Sequence, residues 1–193
     1  MSMAASRPAS DSIRGFGPVV VMGVSGCGKS SVGAQLADLI GCRFVEGDRL
    51  HPTDNIAKMS AGIALEDADR WPWLDAIGCE LAVRGDVVVS CSALKRSYRD
   101  RLRALAGRPL AFVFLQADHS VLAARMAARK NHYMPLSLLD SQLSTLEAPL
   151  GEAGVIAIGI DRPLDVIVGQ AMAGLQLRAS ASADAASWNG KER

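Results

Sequence analysis

Short β-branched runs alternate along the chain with segments whose apolar residues recur every three or four positions. Val19 to Val21, Arg43 to Glu46, Asp86 to Ser90, Leu110 to Leu115 and Val155 to Ile160 read as strands, the third apolar enough to be buried on both faces. Between them, Val32, Leu36, Leu39 and Ile40 mark one helical face that stops at Gly41. Leu74, Ile77 and Leu81 mark another over Trp71 to Arg84, with Pro72 in its first turn. A basic helix carrying Arg96, Arg99, Arg101 and Arg103 follows the third strand, and Asp118 is placed to cap a helix running to about Lys130. Ile167, Ala171 and Leu175 line a last helix opened by Asp161 and Pro163. This alternation predicts an α/β fold, a parallel sheet covered on both faces with right-handed crossovers. Ligands of such sheets bind at the carboxyl ends of the strands.

Two stretches break the rhythm. Arg49 to Arg70 is polar and irregular, with too few apolar anchors for core and too many ionisable groups for an idle connector. Asn131 to Gly154 is similar, with a single helical turn around Leu138 and Leu139 and the length and polarity of a closing lid. The ends are small and polar. Residues 1–16 read as a flexible tail, residues 17–178 as one domain with its lid at about 125–150, and residues 179–193 as a disordered tail.

The first strand runs into a glycine-rich turn and then a helix. Gly23, Gly28, Lys29 and Ser30 fit G-x-x-x-x-G-K-[ST], the phosphate-binding loop. Its glycines let backbone N–H groups curl around phosphate, the Lys29 ammonium reaches the β/γ oxygens, and the Ser30 hydroxyl can ligate Mg²⁺. The positive end of the helix dipole adds to the same anion site. The whole loop, Gly23, Val24, Ser25, Gly26, Cys27, Gly28, Lys29, Ser30 and Ser31, is therefore the expected nucleotide cradle, with ATP and Mg²⁺ as its cargo.

Composition narrows the setting. The 193 residues suit one domain, and a net charge of +1, from 21 basic and 20 acidic residues, offers no global attraction to nucleic acid or an anionic membrane. No apolar run approaches the roughly 20 residues that span a bilayer. Four cysteines, Cys27, Cys42, Cys79 and Cys91, have no zinc or redox spacing, so they read as free thiols in a reducing, cytoplasmic compartment. Lys29 beside Cys27 would make that thiol sensitive to alkylation.

The remaining chemistry is sought at the strand ends. Asp48, after the second strand, can reach the metal or accept a proton from an acceptor hydroxyl. The third strand ends in Ser92, where many P-loop ATPases carry an acidic residue, which shifts metal duty to Ser30 and Asp48. Arg125 and Arg129, four apart, share a helical face before the lid. Lys58, Arg70, Lys95 and Arg99 sit in or just after strand-end loops and suit an anionic acceptor. The Trp71-Pro72-Trp73 cluster reads as a packing anchor.

Taken together, MGVSGCGKSSVG, GDRLHPTDNIAKMSAGIALEDADRWPWL, SCSALKRSYRDRLR and ARKNHYMPLSLLDSQLSTLEAPL resemble the P-loop gluconokinases over about Met22 to Pro149. The resemblance implies ATP-dependent phosphorylation of D-gluconate at its 6-hydroxyl. It implies a three-layer kinase fold with a central five-stranded parallel sheet in order 2-3-1-4-5 and a helical lid, and often a homodimer. On this reading Lys29, Asp48 and Arg129 are catalytic, and Arg125 lies against adenine. Asp48, Lys58, Arg70 and Lys95 meet gluconate, with His51, Arg99 and His132 in support. The chain departs from the family pattern at Cys27, where serine is usual, and at Asn131, where glycine usually precedes the lid histidine. A shikimate-type kinase and a non-catalytic ATP-binding module are the rival readings.

Overall fold

The computed structural model describes residues 15–83, 85–127 and 136–189. The strands are β1 (Pro18–Met22), β2 (Arg43–Glu46), β3 (Val87–Ser90), β4 (Ala111–Gln116) and β5 (Val155–Gly159). They form one five-stranded sheet in the order β2-β3-β1-β4-β5. Every pairing is parallel, with Val20 of β1 set between Val89 and Phe112. Order and direction are those the resemblance implies.

Helices cover both faces: α1 (Lys29–Ile40), α2 (Thr53–Ser60), α3 (Asp67–Ala82), α4 (Arg96–Ala106), α5 (His119–Ala127), α6 (Leu136–Thr145) and α7 (Leu164–Asn189). Because successive strand side chains point to opposite faces, β1 feeds two cores. Val19 and Val21 pack with Leu36 and Ile40 of α1 and Ile167 and Ala171 of α7. Val20 and Met22 pack with Leu74 and Ile77 of α3 and Tyr98 and Leu102 of α4. Among the described residues no helix is long and apolar enough to cross a membrane. All four cysteines are free.

The helices depart from the periodicity reading at four places. The stretch after β2 is ordered, with a 3-10 turn over Gly47–Leu50 and then α2. The next helix starts at Asp67, four residues before Trp71, because Glu66 and Asp69 form a capping box. Pro72 therefore lies inside the helix, beyond its first turn. The lid stretch holds a ten-residue helix in place of one turn. The last helix continues to Asn189, past residue 179 where the expected tail begins. Its end is rich in alanine, the residue of highest helix propensity, interspersed with serine. At the other end, the Gly15 and Gly17 amides donate to the Asp86 carboxylate at 2.8 and 2.9 Å.

Arg99 of α4 is fully buried. Its Nη1 donates to the Ala93 and Leu94 carbonyls, both at 2.9 Å, and its Nε to Glu152 at 3.0 Å. Arg103 adds a second guanidinium to Glu152 at 3.0 Å. Arg99 thereby ties the chain after β3 to the chain before β5, and its side chain is taken up in that tie. Ala93, at φ 44°, is in the left-handed region that side chains disfavour, and the Arg99 bonds help hold it there. Arg99, foremost among its hydrogen-bond partners, holds the Glu152 carboxyl down to about 2.

Glu152→Gln is expected to cost about 3 kcal/mol at neutral pH, since it leaves a buried guanidinium without its anion. Because Glu152 has a depressed value in the fold, its stabilisation is present above about 4.5 and lost as pH falls towards 2. In urea titrations the gap between wild type and variant should therefore narrow between pH 5 and pH 3. A constant gap would contradict this role.

Candidate active site

The carboxyl ends of β1, β2 and β3 converge on one cleft. At the end of β1 the chain turns through Gly23, whose N–H donates to the Ser92 carbonyl at 3.3 Å. Gly23 has φ +137°, and a Cβ there would stand 2.6 Å from the Leu115 carbonyl oxygen, so only glycine fits. Gly28 precedes α1 in a left-handed conformation with no side-chain cap. The first N–H groups of α1 are thus left without a capping side chain, as an anion site requires. Lys29 Nζ rests on the Val24 carbonyl at 3.1 Å, folded over the loop.

Asp48 stands in the 3-10 turn after β2, and its placement is set by Gly47. The Gly47 N–H donates to Ser90 Oγ at 3.1 Å, and its carbonyl accepts from Trp73 Nε1 at 2.7 Å. A Cβ on Gly47 would lie 1.9 Å from the Ser90 carbonyl oxygen. Ser90 Oγ in turn donates to the Glu46 carboxylate. Among the described residues the Asp48 carboxylate has neither a hydrogen bond nor an ion pair.

Ser25, Lys29, Asp48, His51, Arg70 and Ser92 line the cleft together, with Ser141 and Gln142 reaching in from α6. Arg70 donates to the Leu65 carbonyl at 2.6 Å and to the Tyr98 hydroxyl at 3.4 Å, and among the described residues has no carboxylate within ion-pair distance. His51 is buried and stacks on Trp73, with ring centroids 4.1 Å apart and planes at 12°. Burial lowers its pKa to about 4, against a smaller opposing effect of Asp48 and with a further lowering by Arg70. The imidazole is neutral at physiological pH.

The other expected contacts separate from this group. Lys58 is paired with Asp69 at 2.6 Å and Lys95 with Asp67 at 2.7 Å, so each ammonium already has its anion. Asp67 also accepts from the Tyr98 hydroxyl, fastening α3 to α4. Arg99 is in the buried tie described above and does not line the cleft. Arg125 lies on the opposite side of the loop, in a hollow lined by Gly26, Cys27, Gly28, Arg162 and Leu164, where its Nη2 donates to the Ile160 carbonyl at 2.6 Å. Arg129 and His132 lie outside the described residues. Cys27 is buried, and burial raises its thiol pKa more than Lys29 lowers it, which overturns the expected alkylation sensitivity.

Three groups at the cleft have no counterpart among the expected ones. Gln142 Oε1 accepts from the Ser25 N–H at 2.7 Å, linking α6 to the phosphate loop. Its sequence signal is the apolar spacing of Leu139, Leu143 and Leu146, which marks one face of a helix and leaves Gln142 off it. Asn55 stands behind His51, and the Ser90–Glu46 pair stands behind Gly47. Neither has a motif.

For Mg²⁺, the donor set is one unpaired carboxylate, Asp48, and the exposed Ser30 hydroxyl. No group of three or more metal-ligating side chains occurs among the described residues. That set suits a cation that takes its remaining ligands from phosphate and water.

A family model described as an AAA domain matches residues 19–149. The chain is 46% identical over 154 residues to a gluconokinase of Gluconobacter oxydans, covering 78% of this chain and 86% of the relative. It is 43% identical over 155 residues to the thermoresistant gluconokinase of Escherichia coli, covering 77% and 87%. The crystal structure of a gluconokinase from Sinorhizobium meliloti superposes with a TM-score of 0.82 at 59% identity, covering 86% of this chain and 94% of that one.

The close approach at Gly47 predicts opposite signs for two alanine substitutions. Gly47→Ala should cost about 1–3 kcal/mol, because its Cβ meets backbone that cannot yield. Gly169→Ala, in α7 with open space around it, should gain up to about 1 kcal/mol of helix propensity. Urea denaturation of both reads the difference; a neutral Gly47→Ala would remove the constraint on Asp48.

Proposed function

The chain belongs to the gluconokinase family, and on that premise we propose that it transfers the γ-phosphoryl group of ATP to the 6-hydroxyl of D-gluconate, giving 6-phospho-D-gluconate and ADP. One observation carries the acceptor side. Asp48, a carboxylate with no cation partner among the described residues, and Arg70, a guanidinium with no carboxylate partner among them, face the same cleft as the loop lysine. A sugar acid complements both, offering a hydroxyl proton to the first and a carboxylate to the second.

In the proposed reaction the loop N–H groups and Lys29 hold the β- and γ-phosphates, and Arg125 lies on the nucleotide side of the loop. Asp48 orients the hydroxyl and takes its proton as the new P–O bond forms and the bond to the ADP oxygen breaks. Lys29 steadies the charge that develops on the transferred group, and Arg129 is proposed to share that task. Ser30 and Asp48 would hold Mg²⁺, whose chemistry there would be to neutralise phosphate charge. Arg70 positions the gluconate carboxylate with His51 beside it, and His132 keeps its supporting assignment. Lys58 and Lys95, neutralised by aspartates, act in this proposal by fastening α2 and α4 to α3. A homodimer and a cytoplasmic setting belong to the same proposal; the four free cysteines support the latter.

Coupled measurement of ADP release should show gluconate-dependent turnover, with shikimate and glucose far slower. Lys29→Ala should abolish it. Asp48→Asn should lower kcat by about 10²–10⁴-fold with little change in ATP affinity. Arg70→Ala should raise the gluconate KM about 10–100-fold, the range for a lost charged hydrogen bond, and leave the ATP KM near wild type. Equal rates on shikimate, or no gluconate-dependent ADP, would overturn the assignment; light scattering after gel filtration tests the dimer.

A further inference from the structure

We propose that Asn55 fixes the tautomer of His51, so that His51 meets the acceptor only as an N–H donor at Nε2 and proton removal is left to Asp48. The kinase reading enters only in naming the acceptor as a sugar acid.

The orientation of Asn55 comes first. Its side chain is 3% exposed, and its Nδ2 lies 2.8 Å from the Asp69 carbonyl oxygen. A carbonyl can only accept, so the atom facing it must be the NH₂; the flipped amide would set oxygen against oxygen. The same NH₂ lies 3.2 Å from His51 Nδ1. It has a hydrogen to give and no lone pair to take one with, so Nδ1 must present its own lone pair. An imidazole unprotonated at Nδ1 carries its hydrogen on Nε2. The doubly protonated ring would set N–H against N–H at this contact.

The ring is held in place as well as in tautomer. Trp73 covers one face of His51, and Trp73 is itself pinned through Nε1 to the Gly47 carbonyl at 2.7 Å. His51 Nε2 has no hydrogen-bond partner among the described residues, yet it is not among the buried polar atoms left unpaired. It is therefore open to the cleft that His51 lines with Asp48 and Arg70. The cleft thus presents a carboxylate that only accepts and an imidazole edge that only donates. A polyhydroxy acid satisfies both: the reacting hydroxyl gives its proton to Asp48, while another hydroxyl or carboxylate oxygen accepts from His51. Asn55 is a positioning residue, acting through His51 without touching the acceptor.

The full-length protein, labelled with ¹⁵N, provides the test. It has three histidines, and the His51→Gln spectrum identifies the His51 signals by their loss. Long-range ¹H–¹⁵N correlation at neutral pH should show His51 protonated at Nε2 and bare at Nδ1. Protonation at Nδ1, or an even mixture, overturns the proposal. Asn55→Asp should reverse the pattern, because a carboxylate draws the proton to Nδ1, and should raise the gluconate KM about tenfold or more with the ATP KM little changed.

Should Asn55→Asp fail to fold, a pair at His51 decides. His51→Gln retains a donor of similar reach and should keep activity within about tenfold, whereas His51→Glu, an acceptor only, should lose about 100-fold or more. Equal activity of the two overturns the donor role. Absence of gluconate turnover in the wild type would instead sink the functional reading, leaving the tautomer result intact.

Discussion

A parallel sheet leaves unpaired backbone groups along its carboxyl edge, and each buried one must find a partner. In this protein helix and loop side chains supply many of those partners, and the pairing that completes the sheet also builds the cleft. Trp73 takes the Gly47 carbonyl and in doing so offers its ring to His51. Ser90 takes the Gly47 N–H and fixes where Asp48 begins. Arg125 takes the Ile160 carbonyl beyond β5 and stands next to the phosphate loop. Arg99 takes two carbonyls beyond β3 and shapes the chain around Ser92. Remove the need to satisfy that edge and these groups would have no reason to be where they are.

The same economy sorts the charges. Basic residues around the cleft are abundant, but most face an acid at hydrogen-bond distance: Lys58 with Asp69, Lys95 with Asp67, Arg99 with Glu152. Those pairs join elements distant in the chain and set the walls. What they leave over is Arg70 and Asp48, which line the same cleft, neither in an ion pair among the described residues. An unpaired charge beside a low-dielectric wall interacts strongly with whatever enters, and the proposed function rests its selectivity on this left-over pair more than on the total of charges.

Much of this fold was legible in the chain. The five strands lie within a residue or two of their β-branched runs, and the phosphate loop was readable to the residue. The strand order came from resemblance to a family and not from periodicity. Helix α2 stayed hidden because its buried residue is Asn55, a polar side chain that no hydrophobic pattern counts. The burial of Arg99 has no sequence signal for a related reason: buried arginines are rare, and its anion lies 53 residues away. The His51–Asn55 spacing was visible, but the orientation of that amide depends on a backbone carbonyl at Asp69. That contact exists only after α2 and α3 have packed.

The placement of β1 has a kinetic consequence. Of the five strands it is the first to leave the ribosome, yet it is the centre of the sheet, with β3 and β4 as its neighbours. The intervening chain must be made and gathered before either edge of β1 is covered, and distant parallel pairings of this kind assemble slowly. During synthesis a wholly apolar strand thus waits with both edges bare, the situation in which nascent chains aggregate or engage chaperones. The turn that grips phosphate is made before β2 to β5, and it takes its shape only once β3 and β4 stand beside β1.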